Sequence, residues 1–324
     1  MRIPTRQAAP VVALALSVAA LAAGCGSTPA QNSSLNASTG HSATSQRGAF
    51  PVSVKAANGT VTVRSRPAAI VSLSPTGTEM LYAIGAGGQV KAVDSLSDYP
   101  PQAPRTKLSA FQPNVEAIVA EKPDLVIEAG DTGQLTKKLA AFSIPVLDLP
   151  APANLAGEYA EFAELGRATG HPAQATQEVA RLRSQLHQIV AAAPHHAKPV
   201  SYYYELDQTY YSVTSATFVG QLLGLLGMKS IADQAKGAAS SGGYPQLSAE
   251  YILKADPDYI ILADTICCHQ DAATVGKRPG WSALTAVKTG HVIALNDDIA
   301  SRWGPRVTDL LHTVETALAR NSSR

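Results

Sequence analysis

Residues 115–127 read VEAIVAEKPDLVI, and the same pattern returns without a gap as AEYILKADPDYII in residues 249–261. Each copy predicts a short helix followed by a strand, and each helix is preceded by a residue typical of helix N-caps, Asn114 or Ser248. A helix and strand that recur in this way indicate two similar halves. The sequence therefore predicts an α/β protein with two lobes, each containing a mainly parallel sheet.

A second β-α unit precedes the first copy. The apolar run in residues 70–73 predicts a buried strand, and Ser74 and the proline after it predict the start of a helix that stops at Gly85. A weaker echo pairs residues 70–85 with residues 211–227, each as a strand, a polar loop and a helix ending at glycine. This echo again indicates that the halves are related.

Two smaller features complete the N-terminal half. Residues 52–63 predict a β-hairpin whose turn is Asn58-Gly59, a pair that suits the twist of hairpins. Gly85, Gly87 and Gly88 follow a predicted helix instead of preceding one. We therefore interpret them as a helix stop and not as a dinucleotide-binding loop.

Two helices are predicted between the halves. Apolar residues recur at helical spacing in residues 155–165 and again in residues 173–193. The second helix would be about 30 Å long, which is the size of a lobe, so we expect it to bridge the two. His195 and His196 are expected to close this helix, where positive charge suits the helix dipole.

The charge balance excludes several classes of partner. The chain has 324 residues with 26 Lys and Arg against 25 Asp and Glu, a formal net charge of +1. No basic excess attracts nucleic acid, and no acidic tail is present. The 3 cysteines are too few for a disulfide scaffold or a cysteine-based zinc module. The histidines show no metal-site spacing, so we expect no resident metal.

The N-terminus predicts a lipid anchor. Positive residues precede an uncharged apolar run in residues 8–23, and small residues come directly before Cys25. This pattern is typical of a lipoprotein signal peptide, with cleavage before Cys25; an ordinary signal peptide cleaved near Ala30 is the alternative. No later segment is long and apolar enough to span a membrane. The expected order is a signal peptide in residues 1–24, a flexible tether in 25–49, an N-terminal lobe in 50–170, a bridging helix in 171–196 and a C-terminal lobe in 197–324.

Over residues 52–319 the chain resembles a known family. The motifs that carry the resemblance are IVSLSPTGTEMLYAIGAG (70–87), SDYP (97–100), SAFQPNVEAIVAEKPDLVI (109–127), PQLSAEYILKADPDYIIL (245–262) and RPGWSALTAVKTGHVIAL (278–295) followed by SRWGPRVTDLL (301–311). In this order they resemble the substrate-binding lipoproteins of ATP-driven importers for corrinoids, haem and iron-siderophores. The resemblance implies the class III periplasmic-binding-protein fold, two Rossmann-like lobes bridged by a single long helix.

The resemblance also implies a function. Members of this family capture a metal chelate in the inter-lobe cleft and deliver it to a permease dimer in the membrane. The likeness is strongest to the cobalamin-binding branch, so we expect a corrinoid ligand, with a ferric siderophore or haem as the alternative. The protein is expected to be an extracytoplasmic monomer, anchored through Cys25, with no resident cofactor because the metal enters only within the chelate.

Two glutamates are candidate docking residues. Glu116 and Glu250 occupy matching positions in the first turn of the repeated helix, where the dipole favours an anion. One carboxylate on each lobe makes a two-point surface, and the resemblance implies that such glutamates engage arginine pockets of the permease. The alternative is that glutamate is simply favourable there.

Ligand contacts are expected after the carboxyl ends of the strands, because these ends line the crevice of parallel sheets. Flat aromatic side chains recur at these places and suit a flat macrocycle, although each one alone could be packing in the core or at the rim. The resemblance adds an acidic cleft residue, whereas the tryptophan that the family has after Ile127 is replaced here by Glu128-Ala129. The expected ligand-binding residues are Tyr99, Phe111, Tyr211, Tyr244, Asp298, Arg302 and Trp303.

Cys267-Cys268-His269 follows a predicted strand and therefore lies near the cleft. Neighbouring cysteines outside the cytoplasm predict a vicinal disulfide; pairing between molecules and ligation of the ligand's metal are alternatives. A chelatase-like enzyme would also have two β/α lobes, but the sequence has no nucleophile elbow and no phosphate loop, so we expect no catalytic residues. A purely adhesive lipoprotein would not need aromatic residues at strand ends.

Overall fold

Two four-stranded sheets organise residues 50–322, the part of the chain that the computed structural model describes. The strands are β1 (Val52–Ala56), β2 (Gly59–Val63), β3 (Ile70–Ser72), β4 (Val90–Val93), β5 (Leu125–Glu128), β6 (Val146–Asp148), β7 (Val200–Glu205), β8 (Met228–Ser230), β9 (Tyr259–Leu262) and β10 (Val292–Ala294). The helices are α1 (Pro75–Ala83), α2 (Val115–Ala120), α3 (Leu135–Ala140), α4 (Leu155–Thr169), α5 (Pro172–Ala192), α6 (Phe218–Gly224), α7 (Ala249–Ala255), α8 (Ala272–Gly276), α9 (Thr285–Thr289), α10 (Asp297–Ala300) and α11 (Val307–Ser322).

The two sheets share one strand order. The N-terminal sheet runs β4-β3-β5-β6 and the C-terminal sheet runs β8-β7-β9-β10, with every neighbouring pair parallel. In each sheet the strand that comes first in the chain lies between the second and the third. The prediction of two related β/α lobes is confirmed. The predicted signal peptide and tether, residues 1–24 and 25–49, lie outside the described residues.

The repeated motif forms the same structure in both lobes. Asn114 caps α2 by accepting a hydrogen bond from the backbone N–H of Ala117 at 2.9 Å, and Ser248 caps α7 by accepting one from Tyr251 at 3.2 Å. β5 and β9 follow these helices as predicted. Each sheet therefore receives its third strand from the same local sequence.

The aspartate after the proline of each copy ties neighbouring strands together. Asp124 accepts hydrogen bonds from the backbone N–H groups of Ala68 and Ala69 at 2.8 and 3.0 Å, just before β3. Asp258 accepts one from the backbone N–H of Ser201 at 2.8 Å, near the start of β7. Because each carboxylate binds the backbone at the start of an adjacent parallel strand, the motif fixes where β5 and β9 lie against the central strand.

The first β-α unit follows its sequence closely. Ser74 Oγ accepts a hydrogen bond from the backbone N–H of Gly77 at 3.0 Å, and α1 ends before Gly85, whose φ is +78°. A Cβ at Gly77 would lie only 2.8 Å from Ile127, so glycine allows α1 to pack closely on β5. The interpretation of the glycines as a helix stop is confirmed.

The hairpin forms, but its turn differs by one residue from the prediction. Ala56 pairs with Gly59, so the two turn residues are Ala57 and Asn58 and not Asn58-Gly59. The Asn58 side chain donates to the carbonyl of Val146 at 3.0 Å and accepts from the backbone N–H of Asp148 at 3.3 Å. Asn58 therefore binds the edge strand β6, and this contact with distant sequence sets the turn.

The predicted echo between residues 70–85 and 211–227 is only partly correct. Tyr211 forms an isolated bridge with Gln246 and belongs to no strand, although the helix α6 follows as expected. The counterpart of β3 is β7, because each is the central strand that pairs with two parallel neighbours. The match of residues 211–227 rested on polarity and a final glycine, which loops also show.

The bridging helix α5 contacts both lobes. Ala175, Val179 and Leu182 pack into the N-terminal core, whereas Leu186 and Ile189 pack into the C-terminal core. One rigid element thus joins the two sheets, as the predicted fold class requires.

α5 lies within one residue of the predicted helix in residues 173–193 at each end, whereas the expected bridging segment, 171–196, extends four residues past its last residue. The helix ends at Ala192, and Ala193 has extended backbone with ψ of 140° because it precedes Pro194, which disfavours the helical conformation. His195 and His196 therefore lie beyond the helix and do not close it. Within residues 50–322 no helix combines the length and apolar character needed to cross a membrane.

Candidate ligand-binding cleft

A cavity of about 300 Å³ lies between the two lobes. The N-terminal lobe contributes residues that follow β3, β4 and β5, and the C-terminal lobe contributes Asp298 in α10 and the three residues 301–303 after this helix. Its position at the carboxyl ends of parallel strands is where such sheets bind ligands. The lining residues are Leu73, Ser74, Pro75, Thr76, Asp94, Leu96, Ala110, Phe111, Ala129, Thr132, Asp298, Ser301, Arg302 and Trp303.

The seven predicted ligand-binding residues divide into two groups. Phe111, Asp298, Arg302 and Trp303 line the cavity together. Tyr99, Tyr211 and Tyr244 do not line it, although Tyr99 lies beside Arg306, whose guanidinium is 4.3 Å from the ring centre. The isolated bridge between Tyr211 and Gln246 places Tyr211 near the loop that carries Tyr244.

Four of the predicted aromatic residues have large exposed side chains. Phe111 is 75% exposed, and Tyr99, Tyr211 and Tyr244 are each more than 40% exposed. Aromatic side chains that only pack in the core are buried. These four are exposed and therefore available to a ligand. Trp303 differs, because its half-buried ring packs against the hydrophobic cores of both lobes.

Arg302 binds carboxylates of both lobes across the cleft. Its guanidinium donates to Glu79 at 3.0 Å and to Asp98 at 3.1 Å in the N-terminal lobe, and to Asp298 at 2.6 Å in the C-terminal lobe. A further hydrogen bond goes to the carbonyl of Leu96 at 3.0 Å. Arg302 thus lines the cavity, but its N–H groups donate to acceptors of the protein itself.

Arg306 completes this arrangement. It makes a bidentate contact with Glu79 at 2.8 and 2.5 Å. Burial alone would lower the pKa of Arg306, but its neighbours, chiefly the Glu79 carboxylate, raise it by more. We call Glu79, Asp98, Asp298, Arg302 and Arg306 the inter-lobe ion-pair cluster. Two positive charges meet three carboxylates here, so the cluster offers an incoming ligand little free positive charge.

Sequence reasoning missed Glu79, the centre of this cluster. Its side chain is buried and lies on α1, whose sequence predicts only a helix that packs on the sheet. The one available signal was a charged residue on a helix that otherwise carries uncharged side chains. Its partners come from residues more than 200 positions away, which local patterns do not reveal.

Buried hydroxyl groups support the N-terminal wall of the cavity. Asp94, which lines the cavity, accepts a hydrogen bond from the hydroxyl of Ser97, and Thr78 donates to the hydroxyls of Ser97 and Ser72 at 3.0 and 2.9 Å. Burial raises the pKa of Asp94. The serine of the SDYP motif therefore has an internal role and fixes the loop that carries Tyr99.

Trp303 also links the lobes through a polar contact. Its indole N–H donates to Glu161 on α4 at 3.1 Å, and burial raises the pKa of Glu161 to about 8. One turn earlier, Glu158 is fully buried, and neither of its carboxylate oxygens has a hydrogen-bond partner among residues 50–322; burial raises the pKa of Glu158 to about 8. Both glutamates therefore hold protons in the folded protein near neutral pH.

Glu128 and Ala129 occupy the place after Ile127 at which the resemblance implied a tryptophan. The Glu128 side chain is buried, accepts a hydrogen bond from Thr136 at 3.2 Å, and has its pKa raised to about 7 by burial. It is the neighbouring Ala129 that lines the cavity. The cleft has no aromatic surface at this place.

Cys267 and Cys268 are joined by a disulfide in the loop after β9. We call residues 265–269 the disulfide loop. Asp297, next to the cavity residue Asp298, accepts hydrogen bonds from the backbone N–H groups of Ile266 and Cys267 at 2.9 and 2.7 Å. The loop is thereby attached to the same segment that closes the cavity. Within residues 50–322 no group of three or more His, Cys, Asp or Glu side chains is arranged to hold a metal ion.

Glu116 and Glu250 lie at the second residue of α2 and α7, and both side chains are exposed. Hydrogen bonds from its own backbone N–H and from Ser248 lower the pKa of Glu250. Within each lobe the glutamate therefore presents an accessible carboxylate at the end of a helix.

Two lobes of parallel sheet joined by one long helix, with a cavity between them, define the class III periplasmic-binding-protein fold. A family profile described as "Periplasmic binding protein" matches residues 70–299, which span both lobes, and the chain belongs to this family. It is 30% identical over 314 residues to YvrC, an ABC transporter substrate-binding lipoprotein of Bacillus subtilis, covering 94% of this chain and 95% of that protein.

Two further relatives carry names that concern vitamin B12. A cobalamin-binding protein of Halobacterium salinarum is 31% identical over 272 residues, covering 80% of this chain and 72% of that protein. The crystal structure of the periplasmic vitamin B12 binding protein of Vibrio cholerae is similar with a TM-score of 0.67 and 26% identity, covering 80% of this chain and 99% of that one.

Proposed function

We propose that this protein is an extracytoplasmic substrate-binding lipoprotein that captures a corrinoid in the inter-lobe cleft and delivers it to an ABC importer permease. The observation that carries the proposal is the cavity at the carboxyl ends of both sheets, lined by the exposed ring of Phe111 and the half-buried ring of Trp303. Such surfaces suit a large flat macrocycle, because rigid rings bury much area at little entropic cost. The names of the relatives support the same ligand class.

The charge of the cleft favours a corrinoid over an anionic iron chelate. A ferric siderophore or a haem propionate needs unpaired guanidinium groups, but Arg302 and Arg306 already bind three carboxylates. A corrinoid is nearly neutral apart from one phosphate and needs less positive charge. The cavity of about 300 Å³ takes part of such a ligand, and we propose that the remainder extends over Tyr99 and the neighbouring loops.

The proposal includes no catalytic step. The family is one of binding proteins for transport, and the cleft is lined by apolar side chains, hydroxyl side chains, Asp94 and the Arg302–Asp298 ion pair. We propose that no resident cofactor is needed and that the metal arrives within the chelate. A turnover assay with a bound chelate, in which ligand is recovered unchanged, tests this point.

Thermal melting of the purified protein tests the ligand class. Cyanocobalamin, cobinamide, haemin and a ferric siderophore are added separately at about 100 times the expected dissociation constant. A bound ligand at this excess adds about 2.7 kcal/mol to the free energy of unfolding and raises the melting midpoint by several degrees. We expect a shift with the two corrinoids alone. A shift with the iron chelates alone would place the protein among iron-chelate binders.

We propose further that Glu116 and Glu250 dock on the two subunits of the permease. Their matching places on α2 and α7 provide one exposed carboxylate per lobe, and a carboxylate binds arginine with specific bidentate geometry. Because neither glutamate lines the cavity, replacing them should leave ligand capture intact.

The double variant Glu116→Ala/Glu250→Ala tests docking. We expect an unchanged dissociation constant for cyanocobalamin and a strong loss of cobalamin uptake by cells. Glu121→Ala with Lys254→Ala, exposed or half-exposed changes on the same two helices, is the matched control and should transport normally. Lost ligand binding in the double variant, or normal uptake, contradicts the docking role.

The lipid anchor is proposed at Cys25, which lies outside the described residues. With the tether in residues 25–49 it would hold a monomeric binding protein near the outer face of the membrane. Replacement of Cys25 by Ser should move the protein from the membrane fraction to the medium or periplasm. Retention of the variant in the membrane fraction rules out Cys25 as the sole anchor.

A further inference from the structure

Three backbone groups of the disulfide loop, residues 265–269, bind side chains of the C-terminal lobe. The N–H groups of Ile266 and Cys267 donate to the Asp297 carboxylate, and the Cys268 carbonyl accepts from the side-chain amides of Gln208 and Gln270 at 3.2 and 3.0 Å. The exposed residues of the loop are Ile266, Cys267 and His269. Ile266 and the disulfide form the apolar part of this surface.

Side chains of the C-terminal lobe hold the disulfide loop in place. Gln270 accepts a hydrogen bond from Arg278 at 2.7 Å, and Arg278 makes a bidentate contact with the fully buried Glu205 at 2.5 and 2.6 Å. The guanidinium also lies 4.6 Å from the ring centre of Trp281. A chain of buried polar contacts therefore runs from the end of β7 to the Cys268 carbonyl, so ordering this loop on binding costs little entropy.

Ile266 is unusually exposed for its position. Its side chain is 54% exposed in a loop at the carboxyl end of β9, the same edge of the C-terminal sheet that faces the cleft. Asp297 joins the loop to Asp298, which lines the cavity. A rigid apolar surface beside a cleft is typical of a ligand contact, because its burial favours binding.

We propose that Ile266 and the Cys267–Cys268 disulfide form an apolar contact surface of the ligand site, packing against a face or edge of the bound chelate. This inference rests on the proposed function, since it needs a ligand in the cleft. The disulfide fixes the conformation of the loop, and the Ile266 side chain contacts the ligand directly. Neither sulfur is required to bind the metal.

The contact is tested by titrating Ile266→Ser with cyanocobalamin, by calorimetry or tryptophan fluorescence. We expect the dissociation constant to rise about fivefold to tenfold, because a half-exposed aliphatic side chain loses its burial against the ligand. The matched control is Leu225→Ser, an aliphatic side chain of 42% exposure at the end of α6, away from the cleft. The control should bind like the wild type.

The rigidity is tested with Cys267→Ser/Cys268→Ser. We expect weaker binding by severalfold with little change in the melting midpoint of the free protein, because the disulfide closes only a local loop. Wild-type affinity in this double variant overturns the role of the disulfide, and a loss of less than threefold in Ile266→Ser overturns the contact.

The same titrations separate this inference from the proposed function. If wild-type protein binds cyanocobalamin and the variants bind equally well, only the loop assignment fails. If wild-type protein binds haemin or a ferric siderophore instead, the corrinoid proposal fails, and the loop variants are titrated with that chelate against the same thresholds. Absence of binding to all of these probes overturns both.

Discussion

At the scale of single residues, Tyr244 offers a direct test of the ligand site. Its ring is 41% exposed, and Tyr244 precedes the helix α7 that carries Glu250, one of the two proposed docking residues. If the ring stacks on the ligand, Tyr244→Ala weakens binding of cyanocobalamin by about 1–3 kcal/mol in a calorimetric titration. Phe142→Ala removes an aromatic ring of 53% exposure on the opposite side of the N-terminal lobe, and should leave binding unchanged. If both variants bind cyanocobalamin with the same affinity, the Tyr244 ring does not contact the ligand and serves only in packing.

Glu158 should make stability depend on pH. Burial raises its pKa to about 8, whereas a glutamate in the unfolded chain has a pKa of about 4.5. Between these values the folded state binds more protons than the unfolded state, so the free energy of unfolding falls as pH rises from about 4.5 to 8.

The variant Glu158→Gln removes this proton uptake. We expect it to be more stable than the wild type at pH 8, by on the order of 2–4 kcal/mol, and to differ little at pH 5. Urea denaturation at both pH values measures the difference. A stability gap that stays constant with pH, or that grows toward acid pH, contradicts the assignment.

Single residues were predictable from sequence only where their partner is near in the chain. Ser74, Asn114 and Ser248 were identified as helix caps because each binds a backbone group three residues ahead. Glu79 and Glu158 were not identified, because their environment comes from elements that are distant in sequence. Burial of a charge is a tertiary property.

At the scale of elements, Asp124 stabilises the N-terminal sheet through its two backbone hydrogen bonds before β3. Asp124→Ala leaves these N–H groups without their partner, and we expect the free energy of unfolding to fall by about 1–3 kcal/mol in urea denaturation. Glu121→Ala, three residues earlier at the end of α2, is the control and should stay within ~0.5 kcal/mol of the wild type. Similar stability of both variants shows that the strand contact contributes little.

Element prediction succeeded where short-range chemistry decides. The repeated helix and strand were correctly placed in both lobes by caps and apolar runs. The hairpin turn was displaced by one residue because Asn58 binds β6, whereas α5 lies within one residue of the predicted range 173–193. His195 and His196 were wrongly expected to close α5; Pro194 was visible in the sequence, so this error was avoidable, but the β6 contact was not visible.

At the scale of the whole molecule, Glu79 joins the lobes through two arginines. Glu79→Gln leaves Arg302 and Arg306 without their shared buried carboxylate, so we expect a loss of about 3–5 kcal/mol in the free energy of unfolding. Small-angle scattering should also show a slightly larger radius of gyration. Asp309→Asn, on the exposed face of α11, is the control and should change neither quantity. A Glu79 variant with wild-type stability removes the ion-pair cluster from the contacts that hold the lobes.

The arrangement of lobes was predictable, whereas the electrostatics of the cleft was not. The repeat indicated two related sheets, and the long helical pattern indicated their bridge. Arg302 was expected as a ligand contact because it lies near a strand end, but its charge is shared among Glu79, Asp98 and Asp298. Sequence shows which charges are present; it does not show which ones cancel.

This cancellation affects how the ligand reaches the cleft. With its arginines paired, the inter-lobe ion-pair cluster generates a field that decays within a short distance, and the formal net charge of the chain is only +1. Long-range steering therefore adds little to the rate of encounter. The association rate constant for the ligand should therefore have an ordinary diffusional value and change little with ionic strength. The protein would then capture its ligand equally well at low and at high salt concentration.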